Sequence, residues 1–277
     1  MKAAVLLRVI VDPELAAGVE RTMLRLDDPS LVAIGLALSL RRQQPGTELC
    51  GIAVGPPEWD HALQEALALG FDGVERAWSD AFASADLLAT ASAIADAVPG
   101  DASLLVAGSA ATDHGSGILP AAVAELLGWP LLADVGTVDC QADGQITATV
   151  RAGGGRQRLY RLPGRAVLAA ARMPAPPLYP RLARRFAARK SGVPERKPAT
   201  SALAEGAPGR IGPPEYGPAR PLTRHLLQPS AAAKPADRLR QLMSGGMSNR
   251  SAKTLDADDG GIARQLAELL EKEGLLA

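Results

Sequence analysis

The stretch Ser103-Leu-Leu-Val-Ala-Gly-Ser-Ala-Ala-Thr-Asp-His-Gly-Ser-Gly-Ile-Leu-Pro120 reads as a strand, a turn and the start of a helix. After Ser103, residues 104–107 are apolar without a break, as a strand buried on both faces must be. Residues 108–117 form a polar turn with three glycines, and a helix is expected over about 120–127. Outward from this stretch the same alternation recurs. Residues 3–11 and 48–54 are largely apolar runs of strand length, and 74–78 reads as a short strand. Between them apolar residues recur at helical spacing over 31–42, after the start signal Asp28-Pro29-Ser30. A second helix carries Trp59, Leu63, Ala66, Leu67 and Leu69, with Gly70 where a left-handed cap is expected. The Ala-rich segment 83–98 is a third, stopped by Pro99-Gly100. Strands alternating with helices at short spacing predict an α/β domain with a mostly parallel sheet. Beyond Leu131 the pattern changes. Residues 135–138, 146–151 and 156–161 read as a small antiparallel addition around glycine turns, and 166–171 as one more buried strand.

In open α/β sheets ligands sit beyond the carboxyl ends of the strands. A glycine-rich turn that meets a helix N-terminus there offers free N–H groups and the positive end of the helix dipole to an anion such as a phosphate. Gly115 and Gly117 allow close backbone approach, and Thr112 and Ser116 can donate hydroxyl hydrogen bonds. Asp113 repels phosphate, so its better role is to cap the helix or bond a ribose hydroxyl. The same residues also suit a plain strand-to-helix connection with ordinary capping. The turn is neither GxGxxG nor GxxxxGK[ST]. His114 has no second ligand spaced for a metal, and Ser109 and Ser116 are not in a GxSxG elbow.

Composition narrows the class. Hydrophobic residues make up 47% of the 277 residues but aromatics only 3%, so the core must be built from Ala, Leu and Val. Thirty Lys and Arg balance thirty Asp and Glu, which argues against a nucleic-acid binder that relies on bulk positive charge. Cys50 and Cys140 cannot form a disulfide scaffold and lie in no CxxC motif, so a reducing compartment and inert packing are expected for both. No apolar run reaches the ~18 residues of a membrane span. The first apolar run is broken by Arg8 and ends in Asp12-Pro13, which suits a first strand better than a secretory signal. After Ala171 come a Pro-rich stretch, 173–180, a basic one that suits a helix, 181–190, and a Pro-, Gly- and Ala-rich stretch to about 235. Residues 260–276 return to a helix with Ile262, Leu266, Leu269 and Leu270 on one face. The expected organisation is a core domain over 1–190 and an extended arm over 191–277.

Several segments, in order, resemble the β subunit of electron-transfer flavoprotein, the FixA-like family. Arg8-Val-Ile-Val-Asp12 looks like that family's opening strand, and residues 28–37 are similar to its first helix start. Gly51-Ile-Ala-Val-Gly-Pro56, followed by Leu63-Gln-Glu-Ala-Leu-Ala-Leu-Gly-Phe-Asp72, resembles its S-x-G-P and L-R-x-A-L-A-M-G-A-D run. Residues 105–130 align without gaps to its nucleotide loop, GxxAxD, the helix and L-G-W-P. Pro177-Leu-Tyr-Pro-Arg-Leu-Ala-Arg-Arg-Phe-Ala-Ala-Arg-Lys190 resembles its P-R-Y-A-T-L-P-N-I-M-K-A-K-K segment. The likeness covers about residues 1–195.

The resemblance implies a Rossmann-like, three-layer domain of the adenine nucleotide α-hydrolase type. It implies a cytoplasmic heterodimer with an α subunit that holds most of the FAD, and AMP or a second FAD in the β subunit. Electrons would come from a flavin-dependent dehydrogenase and could pass to a quinone oxidoreductase. The chain would be a carrier with no turnover of its own. Carried over residue by residue, Leu6 and Arg8 end the first strand near the nucleotide, and Asp28 and Pro29 lie near its ribose and adenine. Val54 and Gly55 border the adenine. Gly108, Thr112, Asp113, Gly115, Ser116, Gly117, Ile118 and Leu119 hold ribose and phosphate. Asp12 and Pro13 face the partner's flavin. Tyr179, Leu182, Arg184 and Arg185 fall in the segment that docks dehydrogenases, with Leu182 as apolar anchor. Two departures stand out. Gly117-Ile-Leu-Pro120 replaces the family's N-Q-T-G, which removes two polar side chains from the loop, and Arg184-Arg185 replaces neutral residues, which points to a partner with an acidic rim. A hydrolase or nucleotide sensor of the same fold is the competing reading. A hydrolase needs a lysine and metal-binding carboxylates near the phosphates, and no Lys lies between Lys2 and Lys190.

Overall fold

The computed structural model describes residues 1–12, 23–112, 115–141, 144–198, 234–236, 239 and 259–272. The chain falls into two units, Met1–Pro214 and Glu215–Ala277. In the first unit the strands are β1 (Lys2–Leu6), β2 (Val9–Val11), β3 (Leu24–Leu26), β4 (Glu48–Val54), β5 (Gly73–Ala77), β6 (Leu104–Ala107), β7 (Leu131–Cys140), β8 (Ile146–Arg151), β9 (Gln157–Arg161), β10 (Ala166–Ala170) and β11 (Glu195–Arg196). Its helices are α1 (Asp28–Gln43), α2 (Asp60–Leu69), α3 (Leu87–Ala97), α4 (Leu119–Leu127) and α5 (Leu182–Lys190).

One nine-stranded sheet runs in the order β11-β5-β4-β1-β6-β10-β7-β8-β9. Pairing is parallel from β11 to β7 and antiparallel through β8 and β9, so the antiparallel addition continues the main sheet. The two-residue side-chain period of a strand explains its layering. Ala3, Val5 and Leu7 face α1 and α2, while Ala4 and Leu6 face α3 and α4. Each side chain is buried, which is why the run is apolar without alternation. Alanines on α1 and α3 let the helices approach closely. Leu7, Ile34, Leu40, Leu63 and Ile94 fill the remaining space, each contributing about 1.5–3 kcal/mol by burial.

Three expectations are corrected. The opening strand does not run through residue 11. The Leu7 N–H still donates to the Ile52 carbonyl at 2.8 Å, but the Arg8 N–H donates to Ser30 Oγ at 2.9 Å. Beyond that point β2 leaves the sheet to pair antiparallel with β3. The segment 83–98 is not one helix: a 3-10 turn over Asp80–Ser84 precedes α3, whose first turn is capped by Asp86 accepting from the Ala89 N–H at 2.8 Å. β7 begins at Leu131 rather than 135.

In the second unit the described helix is α6 (Asp259–Lys272), with Ile262 and Leu270 half-buried and Leu266 exposed.

Candidate functional site: a cavity where the sheet order reverses

β1 has β4 on one side and β6 on the other. The chain leaves β1 toward β4 and β5, then returns across it to β6. This is the topological switch point at which open α/β sheets leave a crevice at the carboxyl ends of their strands. A cavity of about 390 Å³ occupies that position, within the ~300–1,000 Å³ of ordinary ligand pockets. The ends of β1, β4 and β6 supply Leu6, Arg8, Val54 and Gly108.

Helix starts form the rest of the wall. The first turns of α1, α3 and α4 all reach it, through Pro29, Thr90 and Leu119 among others. Their dipoles point positive ends at the same space, but they differ in compensation. α1 carries Asp28 in its first turn and α3 has the Asp86 cap. α4 has neither a side-chain cap nor an acidic residue in its first turn. Its N-terminus, with the main-chain N–H groups around Gly117 to Leu119, is therefore the uncompensated positive end. Leu6, Val54, Trp59 and Ile94 make much of the remaining lining apolar. Apolar lining together with an anion-favouring helix start suits a ligand with a flat apolar ring at one end and a phosphate at the other.

Of the residues singled out in the sequence, Leu6, Arg8, Pro29, Val54, Gly108, Ser116, Gly117 and Leu119 line this cavity. Gly108 packs so tightly that a Cβ there would stand 2.5 Å from Pro29 Cβ, and one on Gly117, at φ +62°, would meet the Ser109 carbonyl oxygen at 2.8 Å. Gly55 lies just behind the wall, against the Trp59 ring, and its N–H donates to the Ala77 carbonyl at 3.3 Å. Thr112 turns to Asp27: its N–H donates to one carboxylate oxygen at 3.0 Å and its hydroxyl donates to the other. Asp28 is held by Arg25 at 2.6 Å. Gly115, at φ +64°, donates its N–H to the Ala111 carbonyl at 2.8 Å, and Ile118 is exposed at the start of α4. Asp113, His114 and Pro13 lie outside the described residues.

Sequence reading missed Asp27, Trp59, Asp86 and Thr90. The sequence pattern puts Trp59 in the second helix; it lies instead in the 3-10 turn before α2, folded back over Gly55. Behind it, the guanidinium of Arg76, 3% exposed, bonds Asp60 at 2.7 Å, Glu195 at 2.9 Å and the Gly55 carbonyl at 3.4 Å. That cluster ties β11 to the turn that carries Trp59. Among the described residues no group of three or more His, Cys, Asp or Glu side chains is placed to hold a metal ion.

The segment 179–190 lies elsewhere. Tyr179, Leu182 and Phe186 are exposed, with Arg181, Arg184 and Arg185 beside them. Arg185 pairs with Glu65 at 3.2 Å, and Arg184 packs on the Gly70 turn at the edge of a second hollow between α1 and residues 173–178.

A switch-point cavity with a glycine turn is common to many α/β proteins, and comparison with known sequences separates them. The sequence model of the electron transfer flavoprotein domain matches residues 19–201. The chain belongs to the electron transfer flavoprotein β-subunit family. The electron transfer flavoprotein subunit beta of Syntrophomonas wolfei is 35% identical over 127 residues, 46% of this chain and 49% of its own. That of Mycobacterium leprae is 28% identical over 146 residues, 50% of this chain and 54% of its own. A caffeyl-CoA reductase-Etf complex subunit, CarD of Acetobacterium woodii, is 30% identical over 122 residues, 41% and 47% of the two chains. The chain thus spans about half the length of the relatives it matches. The α/β fold with its mostly parallel sheet accords with this family, and among the described residues no helix is long and apolar enough to cross a membrane.

Proposed function

We propose that this chain is the β half of a cytoplasmic, heterodimeric electron transfer flavoprotein. Its α subunit holds most of the FAD, and the cavity at the switch point holds an adenine nucleotide, AMP or a second FAD. The adenine lies against Val54 and Trp59, and the phosphate lies at the start of α4, held by main-chain N–H groups and Ser116. The observation that supports this most is the pairing of apolar lining with α4, the one of the cavity's three helix starts that carries no compensating acid. FAD supplies the redox chemistry when bound; the protein supplies position, exclusion of water and a docking face. Residues 179–190 offer exposed apolar side chains among arginines to a flavin-dependent dehydrogenase with an acidic rim. Such docking is weak and salt-sensitive, as a carrier that must release its partner needs. A quinone oxidoreductase is the proposed downstream acceptor. The core runs past residue 190 to β11, whose Glu195 and Arg196 pair with β5, and the residues beyond form an arm that wraps the α subunit. The chain turns over no substrate of its own.

Co-expression with an α subunit tests the reading. A yellow complex with flavin absorbance is expected. ATP turnover by the purified single chain would instead favour a hydrolase.

A further inference from the structure

The Asp27 carboxylate is 1% exposed and stands immediately before α1, where an aspartate ordinarily caps its own helix. It makes no such bond. Both oxygens turn instead to Thr112, 85 residues away, accepting from its N–H and its hydroxyl. The Asp27 main chain is committed as well: its N–H donates to the Arg8 carbonyl at 2.9 Å, and its carbonyl accepts from the Leu31 N–H at 3.0 Å. One residue thus joins the end of β1, the start of α1 and the 108–117 turn, three parts of the same cavity wall.

We infer that Asp27 is a positioning residue that, through Thr112, latches residues 108–112 beside the start of α1, so that the main chain at Gly115 to Leu119 keeps the course that receives a phosphate. The inference rests on the nucleotide reading above and adds to it the device that fixes the loop. Gly117-Ile-Leu-Pro120 offers no polar side chain, so an anion there is held by main-chain N–H groups. Such groups converge on a ligand only while the backbone keeps its course, and Gly115 and Gly117 have the most conformational freedom to lose. A buried carboxylate is costly unless its oxygens are satisfied, so the two bonds to Thr112 hold both ends of the latch. Asp27 acts through the turn and need not touch the ligand.

The test uses the full chain with AMP as probe. Asp27→Asn, Thr112→Val and the double variant are compared with Thr112→Ser, which keeps both bonds. Hydrogen exchange over the turn is followed without ligand, beside the AMP dissociation constant. Exchange of the turn should speed up in Asp27→Asn and Thr112→Val. AMP should bind about tenfold more weakly in each, the double variant should be no worse than the weaker single, and Thr112→Ser should behave as the wild type. Thr112→Val alone carries the test if Asp27→Asn does not fold. A merely structural role lowers the melting temperature while leaving exchange and affinity unchanged, which overturns the latch. Faster exchange with full AMP affinity overturns its positioning role. Absence of AMP binding by the wild type overturns the nucleotide reading, and the exchange result still decides the latch.

Discussion

At the switch-point cavity a single added methyl on Gly108 would stand 2.5 Å from Pro29 Cβ, whereas on α5 and the turn before it Tyr179, Leu182 and Phe186 are 88%, 68% and 56% exposed. The first region works through where the backbone lies, and its side chains are wedged between neighbours. The second works through side chains that touch little of their own protein. The difference teaches where stability and function can be separated. Changes at the cavity should lower both together. Changes on α5 should alter partner docking while leaving the fold untouched.

The largest effect is expected at Gly108→Ala. Overpacking of this kind costs about 3 kcal/mol, because the Cβ meets Pro29 backbone as well as side chain. A melting temperature close to wild type would break the contrast between the two regions. Arg76→Ala comes next, at about 2 kcal/mol in urea unfolding. Removing a buried charge partner ordinarily costs more, but Asp60 and Glu195 remain partly exposed and can rehydrate. Gly117→Ala should cost about 1–2 kcal/mol, since φ +62° is unfavourable for any residue with a Cβ. Gly117→Asp adds a carboxylate to the same strain, and nucleotide should be lost from the purified complex. On the other side of the comparison, Leu182→Ala and the pair Arg184→Glu, Arg185→Glu should shift stability by no more than ~0.5 kcal/mol. The exposed Arg185–Glu65 pair contributes little. All three changes should slow electron acceptance from the cognate dehydrogenase, and the charge reversals should also flatten its salt dependence. Kinetics equal to wild type would remove α5 from the docking face.

A separate effect concerns Cys50, away from both regions. Burial pushes its thiol up to about 11, while an unfolded chain titrates near 9.0. The folded state thus holds the proton more tightly. This contribution to stability is intact below pH 9 and is lost as the pH rises from 9 toward 11. Cys50→Ala should remove that part of the alkaline decline, measured by unfolding at pH 8 and pH 10.

Much of the cavity's floor was legible in the sequence because parallel strands must be apolar on both faces. The 48–54 and 103–107 runs declare themselves, and so does Gly70, which ends α2 at φ +119°. The departure of the chain at Arg8 was not legible, since Val9-Ile-Val11 is as apolar as the strand before it. What separates them is the partner: β3 for one and the main sheet for the other. The sequence puts Asp28-Pro29-Ser30 ahead of α1 as its start signal, whereas these residues form its first turn, where proline is favoured. Asp27 escaped for a different reason. Next to Asp28-Pro29 it looks like one more capping acid, and nothing local reveals a bond to a threonine 85 residues away. The Gly55–Trp59 contact was within reach, since a glycine, two prolines and an aromatic in five residues describe a chain folding back on itself.

The central claim is that the switch-point cavity holds an adenine nucleotide within a two-subunit flavoprotein. Quantifying the small molecules released on denaturing the purified heterodimer tests it most directly. The account predicts the FAD of the α subunit together with a second adenine-containing ligand, AMP or FAD, in equal amount, and loss of that second ligand alone in Gly117→Asp. A heterodimer that releases a single FAD and no further adenine compound contradicts it.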